Sequence, residues 1–496
     1  MRLTLILLLG ILCAPLLADD SPLNIGSRRE LFVDTSLLDS IAGKAELKLH
    51  HPAPQEIAFQ FDRPWEGSAS GYPTVFQDGD LYRMYYRGHR YIIDPPPLRQ
   101  AQSEVVCYAE SRDGIHWTRP NLGLFDWTGS KENNIIWAGS YETHNFAPFK
   151  DSNPSTRPEE RYKAIGGTTA SKGLWTFKSA DGIHWTRLSE KPVVSTGAFD
   201  SHNTAFWDEE HKRYTMYVRY FSEGEFKGLR LIGVSYSTDF ANWSEPVGIA
   251  YPDSPPQQMY TNQILPYYRA PHLLFGFPTR YVARPLTPFV RNLDPLDLRE
   301  KLIKADERCG TDLTDGLFMS SRDGLTFKRW DEAFLRPGPQ AEGRWVYGDM
   351  YQSYGLWETR SPAGDSEISL HFNEGSWRDA ESRLRRYTIR LDGFVSLNSP
   401  YSGGAVTTKP LVFAGNKLKV NYSTSAAGSL RVELQDASGS PIPGFELESS
   451  AEHFGDSVVQ TISWKNGSDV TPLIGQPVRI RFVLSDADLY AFQFTE

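Results

Sequence analysis

The chain has 496 residues, of which 40% are hydrophobic and 13% aromatic, so it is long enough to bury a large core and to form more than one domain. Its formal charge of −9 and the absence of any run rich in lysine and arginine argue against nucleic acid as a partner. The 40 glycines and 33 prolines supply many turns without reaching the composition of a disordered chain.

The first eighteen residues are predicted to be a secretory signal peptide. Residues 1–18 carry one arginine, then an apolar run, then small residues before an acidic pair. The run is too short for a membrane anchor, and no later stretch is apolar enough to span a bilayer. The mature protein is therefore expected to be secreted or periplasmic. Its remaining cysteines, Cys107 and Cys309, do not define a disulfide framework.

A short phrase recurs through the middle of the chain. SRDGIHW at 111–117 is nearly repeated by SADGIHW at 179–185, and echoes follow around Asp239, Asp323 and Asp392. The acidic residues of this series follow one another at a roughly regular interval, which is typical of a repeated supersecondary unit. Asp-Gly between apolar residues predicts a tight hairpin turn, and the aromatic residue that follows is expected to pack between neighbouring sheets.

Alternating segments before each echo predict strands. LYRMYYRG at 81–88 and RYTMYVRY at 213–220 are examples, and no long helical period competes with them. Every unit reads as four strands. Five such units predict an all-β fold, a five-bladed β-propeller over residues 61–398. A flat stack of sheets is the alternative, which the regular spacing disfavours.

Two further segments are expected to flank the propeller. Residues 19–60 precede the first unit and are predicted to brace the propeller. A turn-rich linker begins at 399. Beyond it, residues 403–496 alternate apolar and polar side chains again, which predicts a C-terminal antiparallel β-sandwich of accessory role.

Four acids stand at strand ends that a propeller gathers around one end of its central tunnel. Cleavage of a glycosidic bond needs one carboxyl as proton donor and another as nucleophile or base. Asp200 and Glu142 are the first candidates for these roles, followed by Glu66 and Glu374. Neighbouring carboxylates raise the pKa of the proton donor, which suits this chemistry. The alternative is that each acid only caps a loop.

Other polar residues at the same strand ends are expected to bind sugar, with Trp65 and Trp377 beside them. They are Tyr72, Arg87, His89, His144, Asn145, His202, Asn203, Arg219, Asn262, Arg280 and Asp349. Three of them, Arg87, Arg219 and Arg280, occupy one place in three units. They either bind an anionic sugar, sulfated or uronic, or hold the catalytic carboxylates.

Metal binding is the weaker interpretation of the histidines. Glu142/His144 and Asp200/His202 are i, i+2 pairs, which places both side chains of a pair on one face of a strand. Hydrogen bonding to sugar is the simpler role for both pairs. No metal and no cofactor are predicted.

The organisation resembles that of secreted glycoside hydrolases of families 32 and 43, the invertase and arabinanase group. The resemblance covers the predicted propeller and rests mainly on the architecture of signal peptide, five blades and C-terminal sandwich. The SxDGxxW phrases are common in that superfamily and also in sialidase-like propellers, so they specify the fold better than the activity. Three further phrases are similar to a group of uncharacterised secreted bacterial propellers: AFWDEEHKRY at 205–214, GFPTRY at 276–281 and RLDGFVSL at 390–397. The resemblance implies a glycosidase with a carbohydrate substrate, in which Asp200 corresponds to the acid of the third blade.

The sequence departs from that family pattern at two places. Tyr72 stands where the family has an aspartate before proline, and MYTNQILPYY at 259–268 lacks the glutamate expected in the fourth blade. The acid would then come from Glu66, Glu142 or Glu374. Two alternatives stay open, a non-catalytic carbohydrate-binding propeller and a polysaccharide lyase. In a lyase, a tyrosine or histidine would abstract a proton while arginine neutralises a uronate.

Overall fold

The computed structural model describes residues 21–224, 226–341, 343–377 and 381–496. The predicted signal peptide, residues 1–18, lies outside the described residues. Nearly all regular structure is β, which confirms the predicted all-β class. Among the described residues, none of the helices has the length and hydropathy to cross a bilayer.

The N-terminal strands and the first repeat unit come first along the chain. Five strands precede the repeats: β1 (Leu23–Gly26), β2 (Glu30–Leu31), β3 (Leu38–Gly43), β4 (Glu46–Leu49) and β5 (Ala53–Gln60). Sheet I, in the order β6-β7-β10-β11, and the small ribbon β8-β9 are formed by β6 (Gly71–Asp78), β7 (Leu81–Gly88), β8 (Tyr91–Ile92), β9 (Arg99–Gln100), β10 (Val105–Ser111) and β11 (Ile135–Ala138).

The next two units are plain four-stranded meanders. A 3₁₀ turn at Tyr141–Thr143 leads into sheet II, and two more lie at Pro158–Glu160 and Thr169–Ser171. Sheet II consists of β12 (Ala147–Lys150), β13 (Tyr162–Thr168), β14 (Gly173–Ser179) and β15 (Thr186–Arg187). Sheet III consists of β16 (Thr204–Asp208), β17 (Arg213–Phe221), β18 (Arg230–Ser237) and β19 (Val247–Gly248).

The fourth unit carries the helices. Its elements are β20 (Gln258–Met259), β21 (Leu265–Tyr267), β22 (Ala270–Gly276), β23 (Thr279–Val282), α1 (Pro288–Arg291), α2 (Leu296–Ala305), α3 (Glu307–Thr311), β24 (Leu313–Gly316), β25 (Met319–Ser321) and β26 (Lys328–Arg329). Sheet IV has the order β21-β22-β25-β26, and β20, β23 and β24 pair beside it. The helical insertion accounts for the interval between the third and fourth echoes, Asp239 and Asp323, which is the longest of the series.

The last unit is completed by a strand from the start of the chain. Sheet V has the order β27-β28-β29-β5, where β27 is Trp357–Arg360, β28 is Ser366–Glu374 and β29 is Arg383–Arg390. Strand β5 pairs antiparallel with β29, so residues from both ends of the repeat region share one sheet. This closure joins the two ends without a covalent link.

Each of the five sheets shares a hydrophobic core with the next, and the fifth shares one with the first. Tyr85 of sheet I and Trp185 in the loop between β14 and β15 of sheet II belong to one such cluster. Trp357 of sheet V and Met84 of sheet I belong to another. Comparable clusters join sheets II and III, III and IV, and IV and V. A parallel bridge between Thr74 and Tyr354 adds a backbone link between the fifth and first units.

Four of the five echoes form the same loop. In each, the aspartate Oδ1 accepts two backbone N–H groups from the residues two and three positions later. The loop spans 180–185 between β14 and β15, so the predicted tight two-strand turn is wrong and a longer loop stands there. Its buried Trp185 packs on sheet I, which confirms the expected role of the aromatic residue.

The fifth echo has a different role. Asp392 is fully buried and its carboxylate accepts hydrogen bonds from Arg29, Arg269 and the Tyr267 hydroxyl. It therefore joins the N-terminal segment, sheet IV and the end of sheet V instead of shaping a local loop.

The C-terminal segment forms a ten-stranded sheet with the N-terminal strands. Its own strands are β30 (Val395–Ser399), β31 (Gly404–Thr408), β32 (Leu411–Phe413), β33 (Lys417–Asp436), β34 (Asp456–Thr461) and β35 (Val478–Thr495), with 3₁₀ turns at Leu447–Ser449 and Thr471–Leu473. Strands β1, β3 and β4 pair with β32, β31 and β30. The domain boundaries predicted from the sequence stay a prediction. Most of the N-terminal segment nevertheless pairs with C-terminal strands.

Candidate functional site

A cavity of about 530 Å³ lies where the loops before the first strands of several sheets meet the ends of second strands. Charged or aromatic side chains dominate its walls. Those in the described part of the chain are Tyr72, Arg87, His89, Tyr91, Glu104, Tyr141, His144, Asp200, Phe226, Tyr260, Arg308, Tyr347, Tyr351 and Trp377. Five of the fifteen predicted site residues are in this lining: Tyr72, Arg87, His89, His144 and Asp200.

The backbone entering this region is strained at equivalent positions of four sheets. Tyr72, Asn145, Gln263 and Met350 have φ values of 51°, 50°, 46° and 61°. A left-handed conformation in a residue other than glycine costs about 1 kcal/mol or more, and such strain gathers at functional sites. The strain here marks the same end of the sheets as the cavity.

Three charged side chains form a chain across one wall. His144 donates from Nδ1 to Glu104 Oε2 at 2.9 Å and from Nε2 to Asp200 Oδ1 at 3.1 Å. Glu104 precedes β10, His144 follows the 3₁₀ turn of sheet II, and Asp200 precedes β16. Because both ring nitrogens face carboxylates, the imidazole is held in its charged form with a fixed orientation.

The charge states of these three groups follow from their contacts. Burial lowers the pKa of His144, but the Glu104 and Asp200 carboxylates outweigh it and raise that pKa to about 9. Burial raises the pKa of Asp200, but the hydrogen bond from His144 and the charges of His144, Arg219 and Arg87 hold it well below its usual range. The side chain of Asp200 is 54% exposed, so an ionised carboxylate faces the cavity. A protonated His144 does not act as a base.

Arg87 and a group of tyrosines form another part of the lining. The Arg87 guanidinium donates to Asn145 Oδ1 and to the Ala69 carbonyl, both at 2.9 Å, and lies 4.7 Å from the centre of the Tyr72 ring. Burial raises the pKa of Tyr72, so its hydroxyl is protonated. Trp377 stacks on Tyr347 with ring centres 5.7 Å apart. Flat aromatic faces of this kind suit the apolar faces of sugar rings.

Asp349 lies just behind the cavity wall. Its side chain is 1% exposed, its Oδ1 accepts the backbone N–H of Ser376 at 2.9 Å, and its Oδ2 has no partner among the described residues. Gly348 and Ser376, its neighbours, line the cavity. Burial, helped by the nearby charge of Glu374, raises the pKa of Asp349 to about 8, so this carboxyl is protonated at neutral pH.

The other three predicted acids lie outside the cavity lining, each in contact with arginine. The Glu66 carboxylate accepts hydrogen bonds from Nε and Nη2 of Arg119, each at 2.9 Å. Glu374 accepts a hydrogen bond from Nε of Arg385 at 2.7 Å, and Glu142 accepts one from Nη1 of Arg187 at 3.1 Å. Such ion pairs stabilise the fold, so these three acids have structural contacts with arginine instead of the predicted positions in the cavity.

The remaining predicted residues support the wall from behind. Asn145, Asn203 and Asn262 bond to backbone carbonyls of their own and adjacent sheets. His202 is fully buried beside Gln263, and burial lowers its pKa to about 3. Arg219 donates to the Ala198 carbonyl.

Two further predicted residues have distinct positions. His89 lines the cavity, and burial lowers its pKa to about 4, so it is neutral. Arg280 is outside the lining and is held by the Asp315 carboxylate. The predicted equivalence of Arg87, Arg219 and Arg280 therefore does not place three guanidinium groups in the cavity.

Sequence reasoning missed Glu104 and Arg308. Glu104 directly precedes the third strand of sheet I, whereas the predicted site residues stand at the starts of first strands and the ends of second strands. Arg308 lies in the helical insertion, and the long interval between Asp239 and Asp323 is the signal that could have pointed to it.

Cys107 and Cys309 are buried free thiols.

Within the described ranges, no three His, Cys, Asp or Glu side chains are grouped so that they could hold a metal ion. The acidic and imidazole groups of the cavity bind each other through protons instead, as in the chain from Glu104 to Asp200.

Comparison with known proteins gives low similarities. No family model matches the chain. A stretch of 154 residues is 28% identical to "Uncharacterized protein Rv1502" of Mycobacterium tuberculosis (strain ATCC 25618 / H37Rv), covering 29% of this chain and 45% of that protein. The chain thus spans less than half the length of the curated relative it matches.

Several solved structures match this chain at low identity and with TM-scores below 0.5. The Bombyx mori GH32 beta-fructofuranosidase BmSUC1 is 10% identical, with a TM-score of 0.41, and 88% of this chain and 94% of that chain are covered. A fructofuranosidase from Schwanniomyces occidentalis complexed with fructose is 12% identical, with a TM-score of 0.38 and coverages of 89% and 97%. An N-acetylgalactosamine deacetylase from F. plautii in complex with blood group B trisaccharide is 13% identical, with a TM-score of 0.38 and coverages of 74% and 94%.

A family 32 beta-fructofuranosidase is thus among the solved structures that the comparison found. None of these likenesses assigns a reaction to the chain.

Proposed function

We propose that this protein is a glycosidase on a five-bladed β-propeller, which binds a carbohydrate in the cavity and cleaves it with Asp200 and Asp349. The observation that carries the proposal is an ionised carboxylate in the cavity lining, Asp200, with a protonated carboxyl, Asp349, directly behind the Gly348 and Ser376 part of the same lining. Such a pair assigns one group as base or stabiliser and the other as acid. The cyclic sharing of cores among five sheets supports the propeller.

In the proposed reaction, Asp349 gives its proton to the glycosidic oxygen as the bond to the anomeric carbon breaks. The ionised Asp200 stabilises the positive charge that develops on the sugar, and water adds to the anomeric carbon as its proton passes to the Asp349 carboxylate, which restores the acid. His144 keeps Asp200 ionised, and Glu104 keeps His144 charged and oriented. Trp377 and Tyr347 supply aromatic surface for the sugar.

The location of Asp349 supports its role as the acid. The unpartnered Oδ2 leaves one oxygen available for the proton, and Ser376 places Oδ1 next to the cavity wall. A buried neutral carboxyl close to substrate is a suitable general acid because it releases its proton only to a group that becomes basic in the transition state.

Reducing-end release from a panel of oligosaccharides and aryl glycosides tests this proposal. Asp200→Asn and Asp349→Asn are each expected to lose at least about 100-fold in kcat/KM. The loss in Asp349→Asn should be smaller on an aryl glycoside with a good leaving group, because that oxygen needs little protonation. Wild-type activity should fall as pH rises through about 8, where Asp349 ionises.

Glu142→Gln is the matched control, because its carboxylate is held by Arg187 outside the cavity lining. It should keep wild-type activity. Full activity of Asp349→Asn on all substrates would exclude Asp349 as the acid, and no hydrolysis of any bound sugar would exclude a glycosidase.

A non-catalytic carbohydrate-binding role is the second candidate. It is favoured by the arginine contacts of Glu66, Glu142 and Glu374, which leave few acids at the cavity. In that case sugars bind without release of reducing ends.

A lyase is disfavoured because His144 is charged. The product of a lyase would absorb in the ultraviolet. Secretion or a periplasmic location, proposed from residues 1–18, fits a carbohydrate substrate outside the cytoplasm.

A further inference from the structure

One positive charge at the cavity has no carboxylate to balance it among the described residues. Arg87 lies 3.9 Å from Glu104, and His144 contacts both Glu104 and Asp200. Arg308 also lines the cavity, but none of the ion pairs between described residues includes it. The five charged groups of the described lining therefore carry three positive and two negative charges, in a chain with a formal charge of −9.

The position of Arg308 is fixed by the helical insertion. Helices α2 and α3 hold it, and the buried Arg299 of α2 donates to the carbonyls of Gly310 and Trp345. The backbone N–H of Leu98 bonds to Ala305, which ties the insertion to the loop between β8 and β9. The insertion is therefore anchored on two sides, and it presents Arg308 to the cavity from a rigid base.

The guanidinium is also held directly. It donates to the Tyr347 hydroxyl at 3.3 Å and lies 4.7 Å from the centre of the Tyr347 ring. Tyr347 is buried and stacks on Trp377, so the arginine stands beside the proposed aromatic surface for sugar. One contact to Tyr347 leaves most of the five N–H donors of the guanidinium available to a ligand.

We propose that Arg308 binds a carboxylate or sulfate substituent of the sugar, so that the cavity selects anionic carbohydrates. The inference rests on the proposed function, since it takes the cavity as a sugar site. A planar guanidinium offers two parallel N–H donors that match either oxyanion. This assigns anion recognition to the insertion of the fourth unit and not to Arg219 or Arg280, whose guanidinium groups are already bonded to protein acceptors.

Binding of matched sugar pairs tests the inference. The first pair is the methyl glycoside of glucuronic acid and that of glucose, and the second is galactose 6-sulfate and galactose; calorimetry gives each Kd for the wild-type protein. In at least one pair the anionic member is expected to bind tenfold or more tightly, and 0.5 M salt should reduce the difference because Arg308 is exposed. Whichever pair responds identifies the oxyanion.

Two variants locate the effect. Arg308→Gln should weaken the anionic member about tenfold and leave the neutral member unchanged, whereas Arg308→Lys should retain part of the preference. Arg431→Gln is the control, since this exposed arginine pairs with Glu452 in the C-terminal sheet. It should bind as the wild type does.

The outcomes separate this inference from the proposed function. Equal binding of both members by the wild type, or an anionic preference that persists in Arg308→Gln, would overturn the inference while the glycosidase proposal stands. Binding of neither member in both pairs, together with no cleavage of the oligosaccharide panel, would overturn both.

Discussion

His144 and Asp349 show how neighbouring groups set the charge of a side chain. Both are shielded from water, which disfavours a charge in each case. His144 is nevertheless charged because carboxylates accept from both of its ring nitrogens. Asp349 has one backbone donor and the charge of Glu374 nearby, so it keeps its proton. The number of oppositely charged groups in contact with the side chain decides whether it is charged or neutral.

Asp349→Asn is expected to change the pH dependence of stability. Below pH 3.8 the carboxyl is protonated in both states, so folding is unaffected. As pH rises from 3.8 to about 8, the unfolded chain releases this proton while the folded chain retains it, and the wild type loses a few kcal/mol of unfolding free energy. The neutral amide removes this slope, so the variant should be more stable than the wild type at pH 8.

Urea unfolding at pH 5 and pH 8 measures this difference. Asp315→Asn is a suitable control, because its carboxylate is paired with Arg280 outside the cavity. An Asp349→Asn variant that unfolds at a lower urea concentration than the wild type at both pH values would show that Asp349 is ionised in the folded protein.

Which residues reach the cavity was only partly predictable. Asp200, His144 and Tyr72 were predicted because they stand directly before first strands, and strand ends are a property of local sequence. Whether Glu66 faces the cavity or Arg119 depends on an arginine from a distant part of the sequence. Such pairing depends on the tertiary structure. Acids at strand ends therefore include some that only pair with arginine, and the sequence alone does not distinguish these from acids that face the cavity.

At the scale of elements, the recurring aspartate loop is a unit of stability. Asp181 Oδ1 accepts the N–H groups of Ile183 and His184, both at 2.8 Å, and the Ser179 hydroxyl at 3.0 Å. The loop also offers the Gly182 carbonyl to the Tyr85 hydroxyl of sheet I at 3.0 Å. One loop therefore satisfies its own backbone and joins two sheets.

Asp181→Ala is expected to lower the unfolding free energy by about 1–2 kcal/mol, because two backbone donors lose their acceptor. Thermal unfolding checks the change. Asp80→Ala is the control, since Asp80 is exposed at the turn between β6 and β7. Equal melting temperatures for the two variants would mean that water replaces the aspartate at no cost.

The repeat itself was the feature most readily predicted at this scale. SRDGIHW and SADGIHW follow the third strands of their units, and the alternation in β7 and β17 predicted strands there, although β17 is buried at nearly every residue. Asp392 was misread because the same letters, Asp-Gly, occur at a junction where Arg29 and Arg269 are the partners. The Asp-Gly dipeptide indicates only the local backbone conformation. It does not indicate the distant side chains that bind the aspartate.

At the scale of the whole molecule, the N-terminal strands belong to two different sheets. Strands β1, β3 and β4 complete the C-terminal sheet, and β5 completes sheet V. Ile25, Phe32 and Leu38 are buried in one cluster with residues of the C-terminal strands. The predicted bracing role of residues 19–60 did not foresee this pairing, because partner strands near the opposite end of the chain leave no local signal.

A chain that ends at residue 402 is therefore expected to be insoluble or aggregated. It retains the N-terminal strands and β30 but lacks β31, β32 and β35, the partners of β3, β1 and β2, which exposes an apolar cluster and strand edges together. Size-exclusion chromatography of the truncated and full chains measures this. A monodisperse truncated protein with wild-type sugar binding would show that the five sheets are stable without the C-terminal sheet.

The closure of sheet V has a consequence for synthesis. Strand β5 leaves the ribosome near the start of translation, whereas β29, its neighbour in that sheet, follows only after the first four repeat units have been made. At about 5–20 residues per second, this strand waits for roughly 15–65 s with its backbone groups unpaired. During that interval, nascent chains on adjacent ribosomes are competing partners for the same edge. The arrangement that joins the first and last sheets is therefore expected to leave an unpaired strand edge in the newly made chain until its partner emerges.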